Sequence, residues 1–135
     1  MVLFGVSIDF VAVIVAAAVS FIFGIIWFAP QLLGKYWIEE SKQSNTAKAG
    51  IGRTLGSAII SSLLTAFVLE VFLVALHLST WTSAIELAGL IWIGFYFAKE
   101  LTAVISGDKS WKVFISIILH DGIVLLLMVA VLLLI

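Results

Sequence analysis

Four long apolar stretches, separated by shorter polar segments, dominate the pattern of this chain. They predict membrane-spanning helices at about residues 8–29, 55–77, 84–105 and 111–135. Each stretch is long enough to cross a bilayer core, which takes roughly 20 residues in a helix. The apolar residues run continuously and do not alternate with period two, which favours helices over the strands of a membrane barrel. The pattern therefore predicts an all-α four-helix bundle that forms a single transmembrane domain over residues 1–135.

The longest polar segment follows the first predicted helix. Pro30 is the only proline of the chain, and it ends that helix because its ring nitrogen cannot donate a hydrogen bond. Residues 31–42 then place apolar and polar side chains on opposite sides, which predicts a short helix lying in the membrane interface. Aromatic and basic side chains favour this depth. We assign the role of interfacial anchor to Trp27, Pro30, Gly34, Lys35 and Trp37.

Composition supports the membrane assignment. The chain is 64% hydrophobic and 11% charged, and its mean hydropathy is +1.30, whereas soluble domains carry roughly 25% charged residues. A water-soluble fold is therefore excluded, and the bilayer is the expected partner. The net charge of −1 gives no electrostatic basis for binding nucleic acid. Without cysteines, the chain has neither disulfides nor thiolate metal ligands.

The distribution of basic residues predicts the orientation of the helices. Positively charged residues concentrate in cytoplasmic loops. All seven basic residues lie in or near the first and third loops: Lys35, Lys42, Lys48, Arg53, Lys99, Lys109 and Lys112. Both loops are therefore expected in the cytoplasm and both termini outside, in a multi-pass protein of the cytoplasmic (inner) membrane.

Small residues recur at every fourth position of the first helix. Ala12, Ala16, Ser20 and Gly24 form a ridge that allows a close approach between helix backbones. The ridge suits packing within the chain, and it equally suits a seam between copies of it. Because four helices make a thin bundle, we expect a homo-oligomer, with an unidentified membrane protein as a further possible partner.

Two short segments of the chain are similar to each other. Gly24-Ile25-Ile26-Trp27 matches Gly89-Leu90-Ile91-Trp92 in its glycine, isoleucine and tryptophan. The first and third helices, which carry these segments, run in the same direction. The similarity fits a parallel duplication of a two-helix unit, and it also fits chance in so apolar a chain.

The first helix and the segment after it resemble a known family. Trp27-Phe28-Ala29-Pro30 is followed by Leu32, Gly34-Lys35 and Trp37. This pattern is similar to that of bacterial membrane proteins grouped as domain of unknown function, family 1761, which have Trp-Tyr-Ser-Pro followed by Phe-Gly-Lys-x-Trp. Gly89-x-x-Trp92-x-Gly94-Phe95 resembles the same family. The resemblance implies four helices and brings no established activity. Phe28 and Ala29 replace two hydroxyl-bearing residues of the family pattern.

A few ionisable and polar side chains interrupt the apolar stretches. An aspartate at the centre of a spanning helix costs roughly 3 kcal/mol on insertion scales, and such groups are functional candidates. The helical spacing places Glu70 near His77, with Glu86 expected close by, and it places Ser116 one turn from His120. We therefore predict a polar path through the membrane formed by Asp121, His120, Glu70, Glu86 and Ser116.

This path leaves two functions open. Histidine and buried carboxylates can change charge near neutral pH, which favours a homo-oligomeric protein that conducts an ion or small solute. The alternative is a non-catalytic scaffold or accessory subunit whose polar residues only fix the packing of helices. No set of residues forms a complete catalytic constellation, so an enzyme is not predicted. A metal site or another cofactor is not predicted either, because the two histidines lie on different helices at different depths.

Overall fold

The computed structural model describes residues 2–28 and 51–135. The predicted interfacial helix at 31–42 and the anchor residues Pro30, Gly34, Lys35 and Trp37 lie outside these residues. Within them, four helices are long and apolar enough to cross a membrane. These helices are α1 (Phe10–Trp27), α2 (Ile51–Ala75), α3 (Trp81–Ile105) and α4 (Trp111–Leu134).

The helix boundaries differ from the predicted ones where polar residues extend a helix. Asp9, Thr80 and Ser110 each accept a hydrogen bond from the backbone N–H three residues later, so α1, α3 and α4 begin with side-chain caps. The cap at Thr80 starts α3 before the predicted residue 84. The described part of α2 already includes Ile51, ahead of the predicted residue 55. The apolar pattern predicts only the part of a helix that lies in the membrane, so it does not detect a polar first turn outside it.

The end of α2 places His77 at one end of the bundle. His77 has a positive φ of 56°. The N–H of Leu78 donates to the carbonyl of Leu73 at 2.9 Å, and the N–H of His77 donates to that of Val74 at 3.2 Å. These two bonds form a Schellman motif, in which glycine usually takes the left-handed position. Histidine is among the residues that tolerate this conformation better than most.

A small hairpin precedes α1, and the apolar pattern did not predict it. Strands β1 (Val2–Leu3) and β2 (Val6–Ser7) pair antiparallel. Phe4 and Gly5 connect them with φ values of 51° and 76°, which is the combination of a two-residue mirror-image turn. Strand β2 packs against α2, so the hairpin is held beside that helix.

Helix α4 is the centre of the fold. It packs against α1, α2 and α3, whereas α1 packs mainly against α2 and α4. The core between them contains side chains that are at most 1% exposed, including Ala66, Leu69, Leu125 and Met128. The opposite faces of the helices carry exposed aliphatic side chains such as Ile14. In a spanning helix such a face suits contact with lipid.

The small-residue ridge of α1 is used within the chain. Ala12, Ala16 and Ser20 are 1%, 0% and 3% exposed, and Gly24 lies beside the His120 side chain of α4. Small residues let the backbone of α1 approach its two neighbours closely. The ridge therefore packs within the chain, which is one of the two interpretations that the sequence left open.

Helix α3 contains a π-helical segment at Trp92–Phe97, between α-helical portions at Trp81–Ile91 and Ala98–Ile105. Such segments widen the helix locally by including an additional residue in a turn, and they are frequent at functional sites. The segment carries Trp92 and Tyr96, and both of these side chains lie near α4, as described below.

Candidate functional site

The central polar group of the structure is the pair of neighbouring residues His120 and Asp121 on α4. Nδ1 of His120 lies 3.1 Å from Oδ1 of Asp121, and the two side chains are 18% and 19% exposed. An Nδ1–H that donates to Asp121 fixes the tautomer of the ring and leaves Nε2 as an acceptor. The pair thus places a carboxylate and an imidazole in direct contact on one helix.

Three aromatic rings lie around the imidazole of His120. Two of them belong to α1, and the third belongs to Phe28, the residue directly after α1. The ring centroids of Phe28, Phe23 and Trp27 lie 4.8, 5.7 and 6.5 Å from that of His120. Aromatic faces within about 6 Å of a cation attract it. We call these three rings the aromatic box. The aromatic box and the Asp121 carboxylate are therefore the immediate surroundings of the imidazole.

Two buried polar atoms of this site have unused hydrogen-bonding capacity. Ser116 Oγ and His120 Nε2 find no hydrogen-bond partner among the described residues. Ser116 is 4% exposed and stands one helical turn before His120, on the same side of α4. Buried polar groups without a partner are rare in folded proteins. This places Ser116 and His120 together, as the helical spacing predicts.

Two tryptophans bind the backbone of α4 next to this pair. Nε1 of Trp27 donates to the carbonyl of Ser116 at 3.1 Å, and Nε1 of Trp92 donates to that of Ile118 at 2.8 Å. These tryptophans end the two similar segments of α1 and α3. From the sequence, Trp27 was predicted to be an interfacial anchor, and Trp92 had no predicted role. The repeated Gly-x-x-Trp pattern was the signal that could have revealed their common function.

The contact between Trp92 and Gly122 leads to a stability prediction. A Cβ at Gly122 would lie 3.1 Å from Nε1 of Trp92, so Gly122→Ala must displace the indole and weaken its bond to Ile118. We expect a loss of about 1–3 kcal/mol in unfolding free energy, as for overpacking in a core. Unfolding in mixed detergent micelles, followed by circular dichroism, measures it.

Gly56→Ala is the matched control for that prediction. A Cβ at Gly56 meets nothing within 4 Å, and alanine is favoured over glycine inside a helix by up to about 1 kcal/mol. The control should therefore leave stability unchanged or raise it. Equal stability of the two variants would contradict the role given to Trp92.

A second group of ionisable residues lies in a cleft at the end of the bundle where the termini meet. We call it the terminal cleft. It has a volume of about 520 Å³ and is lined by Asp9, Glu70 and His77, with apolar side chains of α2 and α4. Glu70 is only 6% exposed, and Asp9 is its polar neighbour. The structure brings Glu70 and His77 together, as predicted, and adds Asp9, which the sequence analysis did not include.

Glu86 does not belong to either group. It is exposed on α3 and is not among the residues that line the terminal cleft. The sequence suggested that it lies near Glu70 because both residues are close to the second loop. Proximity along the chain did not show which way the α3 side chain points.

An apolar layer separates the terminal cleft from the His120 site. Leu132 lines the cleft and stands twelve residues after His120, which is about 18 Å along a helix. Leu125 and Met128 lie between them and are each 1% exposed.

Tyr96 interacts with Thr65 of α2 and with Asp121. It therefore adds a hydroxyl near the apolar layer, which the sequence analysis did not identify.

The described residues contain no group of three or more histidine or acidic side chains that could hold a metal ion.

The fold and the buried ionisable residues define a multi-pass helical membrane protein with polar groups inside its bundle. A family model described as "Protein of unknown function (DUF1761)" matches residues 11–134, and the chain belongs to that family. No curated protein and no solved structure matches the chain.

Proposed function

We propose that this protein conducts an ion or small solute across the membrane, along a path that includes Glu70, Asp121, His120 and Ser116. The observation that carries the proposal is the presence of ionisable groups at two depths of one bundle: the buried Glu70 and the half-buried pair of His120 and Asp121. Intramembrane ionisable residues commonly mark ion pathways and proton relays. Glu86 is left out of this path because its side chain is exposed.

The terminal cleft is the proposed entrance on one side. Its two carboxylates favour a cation, and Glu70 lies at its buried end. On the opposite side of the membrane, the path would begin near the third loop, where α4 starts. It would then pass Ser116 and His120 and reach Asp121. The positive-inside pattern puts that loop in the cytoplasm, so both termini and the cleft face outward. The proposed location is the cytoplasmic (inner) membrane.

The apolar layer around Leu125 and Met128 makes the described conformation a closed one. An ion at Glu70 has no continuous polar route to Asp121 through side chains that are 1% exposed. Conduction therefore requires a displacement of α4 relative to its neighbours. The π-helical segment of α3 lies against α4, and we propose that it accommodates this displacement.

The proposed assembly is a homo-oligomer. Because the small-residue ridge of α1 is buried within the chain, the contact between copies would use another surface. The outward aliphatic faces of the helices are the available candidates, and they are also the surfaces that suit lipid. The mass of the purified protein in detergent, measured by light scattering, tests this part of the proposal.

Ion flux in proteoliposomes tests the conduction proposal. We expect the wild-type protein to carry protons or a small organic cation and Glu70→Gln to reduce the flux at least tenfold, since the change removes the buried charge at the entrance. Glu86→Gln is the matched control, because the same chemical change at an exposed position should leave flux unaltered. Flux from wild type no greater than from empty liposomes, or equal loss in both variants, would refute the proposal.

A scaffold or accessory subunit is the second candidate. The bonds from Trp27 and Trp92 to the α4 backbone favour it, because they show polar groups used to hold helices together. Under this function the wild-type protein has no flux. Replacing either tryptophan with phenylalanine would loosen the bundle and impair its assembly with a partner.

A further inference from the structure

We infer that the terminal cleft binds an organic ammonium ion that carries a short apolar chain. The cleft volume of about 520 Å³ falls within the roughly 300–1,000 Å³ of small-molecule sites. The inference rests on the proposed function, because it names the class of solute that would enter the conduction path through this cleft. Binding itself does not require conduction and can be measured separately.

The burial of Glu70 points to a cation. Its side chain lines the cleft, is 6% exposed, and forms no ion pair with a lysine or arginine among the described residues. The backbone N–H of Asp9 donates to the Glu70 carboxylate and stabilises its charge in part, whereas the Asp9 carboxylate repels it. A buried carboxylate is unfavourable without a compensating charge, so a bound cation would supply what the chain lacks.

Asp9 leaves room for a second interaction with the same cation. Its Oδ1 accepts the capping hydrogen bond from the N–H of Ala12 at 3.1 Å. Its Oδ2 accepts none from the residues that the structure describes. A carboxylate has about four acceptor positions, and an ammonium group has up to three donors. Since both residues line the terminal cleft, Glu70 and Asp9 both offer acceptors to an ammonium ion bound there.

The rest of the lining favours an organic cation over a metal ion. Leu73, Val74, Leu78, Leu132 and Leu133 form the apolar wall of the cleft. A bare metal ion would need further oxygen or nitrogen ligands, and the described residues form no group suited to hold one. An apolar chain on the ammonium would cover the leucine wall and remove its surface from water.

Thermal unfolding of the full chain in maltoside micelles, with n-butylammonium chloride as the probe, tests the inference. We expect butylammonium to raise the Tm in a saturable manner, whereas n-butanol, sodium butyrate and potassium chloride at equal ionic strength do not. Glu70→Gln should weaken butylammonium binding at least tenfold, and Glu86→Gln should leave it unchanged. Asp9→Asn should also weaken it, and this variant keeps the helix cap because asparagine is an equally good capping residue.

Three results would overturn the inference. They are an equal effect of butanol, an equal effect of potassium chloride, and undiminished butylammonium binding in the Glu70 and Asp9 variants. Nanodiscs with and without phosphatidylethanolamine distinguish two natural sources of the ammonium group. If this lipid competes with butylammonium, its headgroup is the ligand. If the lipid does not compete, the ligand is a free amine. Binding with this profile in a protein without flux would refute conduction and leave the site established.

Discussion

Asp121→Asn is expected to abolish ion flux in proteoliposomes while leaving the helices assembled. Asparagine has nearly the shape of aspartate and keeps an oxygen that can accept the hydrogen bond from Nδ1 of His120, now 3.1 Å from Oδ1 of Asp121. What it removes is the charge. If the path depends on the charge of Asp121, its loss removes the step on which conduction depends.

The control for this prediction is Asp108→Asn, in the turn between α3 and α4. Asp108 is exposed and bonds only locally, with Ser106 Oγ at 3.3 Å from its carboxylate. The same chemical change there should leave flux intact. Undiminished flux in an intact Asp121→Asn protein would remove Asp121 from the path. A wild type without flux, together with a variant that no longer assembles, would favour the scaffold function.

Ala16→Leu is expected to cause the largest loss of stability. Ala16 is fully buried on the side of α1 that packs against α2 and α4. A leucine there forces the helices apart, and overpacking of a close contact typically costs about 1–3 kcal/mol and occasionally more. We expect at least about 3 kcal/mol, because two helix contacts meet at this position. Reversible unfolding in mixed micelles provides the measurement.

Ala18→Leu is the control that separates the effect of overpacking from the effects of the higher hydrophobicity and the different helix propensity of leucine. Ala18 is on the same helix but exposed, so its leucine would point toward lipid and should change stability by less than about 0.5 kcal/mol, the usual range for surface substitutions. If both variants unfolded alike, or if Ala16→Leu were harmless, the ridge would not be the closely packed contact described here.

The sequence was sufficient to predict the helices because a bilayer imposes a length and a composition on every span. The four apolar stretches satisfy both requirements, and the structure has four corresponding helices. The ends were less well predicted. Thr80 begins α3 with a hydrogen bond to Ser83, and such a local bond leaves no mark on hydropathy. The positive φ of Phe4 in the first turn is similarly unexpected for an aromatic residue.

The candidate site was only partly predictable, and the reason is geometric. Spacing on one helix correctly placed Ser116 below His120, since residues four apart share a face. Which residues of other helices approach them depends on the packing of helices against each other. The sequence therefore did not reveal that the rings of Phe23 and Phe28 lie beside His120. Nor did it reveal that Tyr96 lies close enough to Asp121 to be influenced by its charge, or that Glu86 is exposed and outside the lining of the terminal cleft.

The π-helical segment of α3 gives the chain a place where its length can vary. An α-helix turns by about 100° for each residue, so an insertion normally rotates everything beyond it onto the wrong face. At Trp92–Phe97 an additional residue is already held within one wide turn. Evolutionary loss of a single residue there could restore a regular helix and rotate only its immediate neighbours. The two ends of α3 would then keep their contacts, and relatives of different length could share one bundle.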